Sequence, residues 1–329
     1  MNNRRVVWAF VIFLLIDLAV TGSAGAVWVW TPETGRWINP KNQPKETAEA
    51  QLEYASQLRL AGDYEEATSE YRKFFRFFPD SDLCAQAQFQ VGELYEAQGD
   101  YERASTEYQK VISNWPASDL FDKVMGKQYE IADRFYQKGT RAEGFRFLRG
   151  RYVRRAMQTY QRVIENAPFG RAAARAQYRV AECYFASGRY LEATYEYQKV
   201  LDEYPSSDWA GQATYGLAMC YCKQALPAEY DQTIARKAVE QFRLFLRMHP
   251  GDPKADEAEA RIAELREDMA RQQLVIARFY ERIEKRGAAR LYYLSAVAKY
   301  PETEAAREAT EQLEDTANLI EAPPTEEDQ

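Results

Sequence analysis

Tyr160-Gln-Arg-Val-Ile-Glu-Asn-Ala-Pro168 and Tyr197-Gln-Lys-Val-Leu-Asp-Glu-Tyr-Pro205 are two renderings of one nine-residue phrase. Tyr71-Arg-Lys-Phe-Phe-Arg-Phe-Phe-Pro79, Tyr108-Gln-Lys-Val-Ile-Ser-Asn-Trp-Pro116, Phe242-Arg-Leu-Phe-Leu-Arg-Met-His-Pro250 and Tyr293-Leu-Ser-Ala-Val-Ala-Lys-Tyr-Pro301 repeat it with substitutions. Four residues before each leading aromatic stands an alanine: Ala67, Ala104, Ala156, Ala193, Ala238 and Ala289. A small residue followed at i+4 by a large one shares one helix face, so this helix can approach a partner closely and lock against it. The proline then stops the helix, because the residue before proline is pushed out of the α region.

Upstream of each phrase lies the matching first helix. Its small residue is Ala55, Gly92, Ala132, Ala181, Ala218 or Ala277, with Leu58, Tyr95, Phe135, Tyr184, Tyr221 or Tyr280 three later. Gly62-Asp-Tyr64, Gly99-Asp-Tyr101 and Gly188-Arg-Tyr190 read as turns in which glycine takes the left-handed conformation that ends a helix. From small residue to alanine the spacing is 12 in repeats one, two, four and six, but 24 in repeat three and 20 in repeat five. Insertions are therefore expected at about residues 138–150 and 223–234, as loops suited to specialised contacts. The residues from Pro253 to Lys285 hold no further glycine or proline before the sixth pair and predict one long helix.

Agreement of small, aromatic and proline positions matches the tetratricopeptide pattern. It predicts an all-α fold, a tetratricopeptide-like α-solenoid of about six helix pairs with a long C-terminal helix. The repeats fall at about 45–81, 82–118, 119–170, 171–207, 208–252 and 253–303, followed by a terminal helix, so the solenoid spans 45–315. With only 16 Gly and 13 Pro in 329 residues, strands should be few or absent.

A formal charge of −7 argues against nucleic acid as the main partner, since phosphate binding asks for a basic face. One local exception is the candidate basic patch Arg146, Arg149, Arg151, Arg154 and Arg155, which reads either as a binding surface or as a solvated helix face. An enzyme is not expected. The one histidine, His249, precedes the helix-stopping Pro250, where it suits the last carbonyls of a helix better than a catalytic cleft. No HExxH, CxxC, phosphate-cradling loop or dinucleotide fingerprint occurs, and neither a metal nor a cofactor is implied. Cys183 could bridge to Cys220 or Cys222 if their Cα atoms come within about 7 Å; otherwise the cysteines are small buried apolar residues.

Residues 1–26 have the three-part layout of a secretory signal: Arg4 and Arg5, an apolar stretch from Val6 to Val20, and the A-x-A pair Ala24 and Ala26. Cleavage after Ala26 is expected. The alternative is an uncleaved anchor, against which stand Asp17 and a stretch shorter than the ~20 residues a membrane-spanning helix needs. Residues 27–44 are rich in Trp and Pro and read as a linker or a cap packed on the first repeat, with a membrane interface as the other home for Trp28, Trp30 and Trp37. Residues 316–329 read as a disordered acidic tail.

Helical solenoids line a concave surface with their first helices and lay peptides or partner helices along it. Three residues before each small residue stand Leu52, Phe89, Tyr129, Tyr178, Tyr215 and Leu274, the candidate peptide groove. Residues at this spacing also bury between helices.

Certain stretches carry a resemblance. The signal, the insertion in the third pair, Asp231-Gln-Thr-Ile-Ala-Arg-Lys-Ala238 before the fifth phrase, and the long helix running into Phe279-Tyr280-Glu281-Arg282 ahead of Tyr300-Pro301-Glu302-Thr303 resemble the BamD family of outer-membrane protein assembly factors over about residues 45–315. The resemblance implies a non-catalytic periplasmic scaffold at the outer membrane, whose partners are a barrel-assembly subunit and unfolded outer-membrane clients. No cysteine stands at the exit of the signal, so a lipid thioether of the kind that family carries has no site there, and membrane association would be peripheral. A periplasmic coordinator of cell-wall or division proteins and an enzyme acting on envelope polymers are the alternatives.

Overall fold

The structure is a computed structural model that describes residues 28–31, 35–39, 42–141, 146–227 and 230–321. The signal segment, including Ala24 and Ala26, lies outside the described residues. The chain divides into two compact units, residues 1–120 and 121–329.

The first unit opens with an antiparallel ribbon, β1 (Val29–Thr31) and β2 (Arg36–Ile38), in which Trp30 faces Trp37. Two helix pairs follow: α1 (Ala48–Ala61) with α2 (Tyr64–Phe77), and α3 (Cys84–Ala97) with α4 (Tyr101–Asn114). The second unit holds four pairs and one more helix. They are α5 (Phe121–Arg141) with α6 (Arg146–Asn166), α7 (Ala173–Ala186) with α8 (Tyr190–Glu203), α9 (Trp209–Gln224) with α10 (Thr233–Met248), α11 (Ala255–Arg282) with α12 (Arg286–Lys299), and α13 (Glu304–Glu321). Within each unit these are the stacked pairs of an α-solenoid.

The repeated phrase acts as predicted. Phe78, Trp115, Tyr204, His249 and Tyr300, each just before a proline, leave the helix with φ between −128° and −136° and donate their N–H to the carbonyl four residues back. At the turns inside pairs, Gly62, Gly99 and Gly188 have φ of 89°, 75° and 75°. The next residue's N–H then reaches back to Leu58, Tyr95 or Tyr184 at 2.9–3.0 Å, closing the helix end. In the sixth pair Glu284 takes that role with φ 60°, and Lys285 N–H bonds Tyr280 O at 2.9 Å.

Each interior joins a small residue of the first helix to a large one of the second. Ala55, Ala132, Ala181, Ala218 and Ala277 are sealed, as are Tyr71, Tyr108, Tyr160, Tyr197, Phe242 and Tyr293. An ideal Cβ on Gly92 would come 2.4 Å from the Tyr108 ring, and one on Gly216 2.5 Å from Tyr197. Gly92 thus lets α3 close on α4 within its pair, and Gly216 lets α9 close on α8 of the preceding pair, further than any side chain would permit.

Three expectations need correcting. The insertion in the third pair is helical at residues 138–141 and 146–150: it lengthens α5 and α6 to 21 residues each, against 14 in the pair that follows, because its sequence keeps helical periodicity. The insertion in the fifth pair is a loop, and Gln232 pins it by donating to the carbonyls of Leu226, Pro227 and Tyr230. The tail expected from residue 316 is helical through Glu321, and residues 322–329 lie outside the described residues. Residues 29–31 and 36–38, expected as part of a linker or cap, form the ribbon with its indoles exposed.

Candidate functional site

The ladder proposed as a peptide groove is core. Leu52, Phe89, Tyr129, Tyr178, Tyr215 and Leu274 are only 3–7 % exposed. Phe89, Tyr129, Tyr178 and Tyr215 meet Tyr108, Tyr160, Tyr197 and Phe242 of the second helices with ring centroids 5.3–5.8 Å apart. The physical reason is helical periodicity: a residue three before the small one shares its face, and that face is turned to the partner helix.

A second feature of the same interior escaped the sequence reading. The buried tyrosines of the second helices all use their hydroxyls on a polar group of a first helix. Tyr71 donates to Gln90 Oε1 at 3.1 Å, Tyr108 to Glu96 at 2.9 Å and Tyr293 to Glu281 at 3.0 Å; Tyr160 donates to Asp133 and Tyr197 to Glu182. Burial, reinforced by these carboxylates, pushes the hydroxyls of Tyr108, Tyr160 and Tyr197 well above the ordinary 10.0, and that of Tyr293 up to about 12. Acidic residues one or four places after the small residue were the available signal. The network is densest between the third and fourth pairs. There Arg175 and Arg179 flank Asp133 at 3.7 and 3.6 Å, and Arg175 also lies over the Tyr129 ring at 4.3 Å. It ties helices of the two pairs together, which suits a structural joint.

The expected basic patch splits. The Arg146 side chain lies outside the described residues. Arg149 turns to the end of α7 and donates to Ala186 O at 3.3 Å, satisfying one of the carbonyls a helix terminus leaves open. Arg151 and Arg154 are exposed elsewhere on the helix, and Arg155 lies over the Phe135 ring at 5.9 Å. Arg151 is two residues from Arg149 and so is turned away from it, while it lies three and four residues from Arg154 and Arg155, on their side of the helix.

No disulfide joins the four cysteines. Burial pushes the Cys183 thiol far up and the Cys220 thiol to about 12, so both are neutral packing residues. His249 packs at the end of α10, against the backbone of Gly211 and 5.8 Å from the Phe245 ring.

The surface best formed to hold a partner lies on the last three helices. Val275, Phe279 and Ile283 are 41, 48 and 44 % exposed at intervals of four along and just past α11, a row of apolar side chains turned outward. Phe279 abuts Tyr280, which stacks on Tyr292 of α12 at 5.5 Å and 11°. Beside the row runs a groove of about 640 Å³ between α11 and α13, lined by Glu267, Arg271, Arg278, Glu304, Arg307 and Glu308 among others. Ion pairs cross it from Arg271 to Glu304 at 3.8 Å and from Arg278 to Glu308, and Glu267 accepts the Glu304 N–H at 2.8 Å, next to the positive end of α13. An apolar row with a polar, charged rim is the anatomy of a protein interface.

The family model YfiO, described as outer membrane lipoprotein, matches residues 128–326, more than half of the chain and the whole of this surface. The chain belongs to the YfiO family. A tetratricopeptide repeat model matches residues 46–117 of this YfiO-family protein, the two pairs of its first unit. No curated protein matches it. Among solved structures it is similar to a thermophilic TPR protein of Thermus thermophilus (15 % identity, 67 % of this chain, 98 % of that one, TM-score 0.35). It is also similar to pilF of Pseudomonas aeruginosa (15 %, 80 % and 97 %, 0.32) and to MamA of Desulfovibrio magneticus (18 %, 64 % and 99 %, 0.34). Among the described residues no helix is long and apolar enough to cross a membrane. Repeat type and family together make the chain a protein-binding scaffold of the tetratricopeptide kind.

Proposed function

We propose that this YfiO-family chain is an exported scaffold of the cell envelope that helps assemble β-barrel outer-membrane proteins by holding a subunit of the insertion machinery. The observation that carries the reading is the family match over residues 128–326, which encloses the outward row Val275, Phe279 and Ile283 and the charged groove beside it. The resemblance of the late sequence motifs to assembly factors supports the same partner class. Export rests on the three-part leader ending in Ala24 and Ala26, with cleavage after Ala26.

A photo-crosslinking residue placed at Phe279 in cells tests it, with exposed Leu60 as the control position. The expected product is a conjugate with a barrel-assembly subunit from Phe279 and not from Leu60. Capture of cell-wall synthases instead would replace this reading with that of a cell-wall coordinator. N-terminal sequencing of the protein recovered from the envelope should begin at Val27.

A further inference from the structure

We infer that the Trp ribbon at the start of the described chain is a lipid-contacting element that seats the protein on the surface of a bilayer of zwitterionic phospholipid. The inference concerns a different unit from the protein-binding surface above and stands independently of which subunit that surface holds.

Strand alternation puts the indoles together. Trp30 and Trp37 are a directly opposed cross-strand pair, edge to face with centroids 5.8 Å apart. Trp28 lies two residues before Trp30, on the same side of a pleated chain. Trp28, Trp30 and Trp37 are 57, 47 and 62 % exposed, so the ring pair is not a cap buried on the first repeat. A lone two-stranded ribbon is marginal in water, and one that turns three indoles outward gains when something covers them.

Three observations identify the cover as lipid. First, indole has an apolar body and one N–H, the chemistry that concentrates tryptophan at membrane–water boundaries. Second, β1 begins only nine residues after the apolar stretch that ends at Val20, so the indoles follow directly on the segment read as the export leader. Third, the first thiol in the sequence is Cys84, which lies buried with its Sγ 3.4 Å from the carbonyls of Phe78 and Pro79. In a family of lipoproteins, this chain places indoles rather than a thiol directly behind the leader. Charge selects the lipid. Residues 28–38 contain one acid, Glu33, and one base, Arg36, on a chain of net charge −7, so the ribbon itself is neutral and the apolar rings supply the affinity.

The test uses the full chain and vesicles of phosphatidylcholine, alone or mixed with phosphatidylglycerol. With no other protein present, its outcome is separate from that of the crosslinking experiment. The chain should partition onto phosphatidylcholine, with no gain from phosphatidylglycerol. Trp28→Ser, Trp30→Ser and Trp37→Ser together should lower the partition about a hundredfold or more, as expected when the free half of three indoles, ~200 Å² each, no longer leaves water. The far-UV spectrum should be unchanged, because none of the three is in the helical core. The leader could hold the chain to vesicles by itself, so a second variant keeps Trp30 as the sole indole, with the other five replaced by phenylalanine. Its emission should be quenched more by bromines high on the acyl chain than by bromines deep in the bilayer. Failure of the full chain to bind, a partition indifferent to all three serines, or an unquenched Trp30 on vesicles that hold the chain would each overturn the inference.

Discussion

Replacing Gly92 by alanine sets two opposed effects against each other, and the structure decides which is larger. In an exposed helix interior the change stabilises by about 0.5–1 kcal/mol, because glycine loses more backbone freedom on folding. At Gly92 the added methyl would stand 2.4 and 2.6 Å from Cε1 and Cδ1 of Tyr108, where carbon atoms prefer about 3.5–4.0 Å. The ring cannot swing away cheaply. It is fully buried, lies against Phe89 at 5.3 Å, and is tethered to Glu96 through its hydroxyl at 2.9 Å. Overpacking of this sort costs about 1–3 kcal/mol, so the net effect should be a loss of about 1–2 kcal/mol. Gly126→Ala in α5 is the control, since a Cβ there meets nothing within 4 Å; it should raise stability by about 0.5–1 kcal/mol. Urea unfolding followed by far-UV circular dichroism reads both. If Gly92→Ala proved as stable as the parent while Gly126→Ala behaved as expected, close packing would not be the reason for glycine at that position.

Other outcomes follow from the same geometry. Glu284→Gly should stabilise by about 0.5–1 kcal/mol in the same assay, because Glu284 is a side-chain-bearing residue at φ 60° where the other pair turns use glycine. At alkaline pH the tyrosine network should destabilise the fold. Tyr108, Tyr160 and Tyr197 give up protons near 10.0 when unfolded but well above it when folded, so stability is full below pH 10 and falls as pH rises past it, visible as a dropping melting temperature. Cys222, half-buried, should react with a thiol reagent before Cys183 and Cys220, which burial keeps neutral; equal rates in the native protein would contradict the packing described here.

How far the chain can be read without coordinates depends on how local each cause is. The stop before Pro79, Pro116, Pro205, Pro250 and Pro301 follows from a clash within two residues, and the turns at Gly62, Gly99 and Gly188 from one backbone angle, so both were legible. Position 284 was not, because nothing in a glutamate announces a left-handed residue. The insertion at 138–150 was legible as extra length but not as helix at 138–141 and 146–150: added turns of helix satisfy their own backbone and need no turn residues to mark them.

The candidate surfaces divide along the same line. The order of small, aromatic and proline positions determined by itself that helices would pair, where the second helix of a pair would stop before its proline, and which aromatic would enter each interior, because those are properties of one helix and its immediate turn. Which face of that interior remained for a partner was decided only in three dimensions. Leu52, Phe89, Tyr129, Tyr178, Tyr215 and Leu274 vanished into the contacts between helices, while Val275, Phe279 and Ile283 stayed uncovered. An apolar side chain is driven from water equally in both cases, and only the position of neighbouring helices determines whether something is there to receive it.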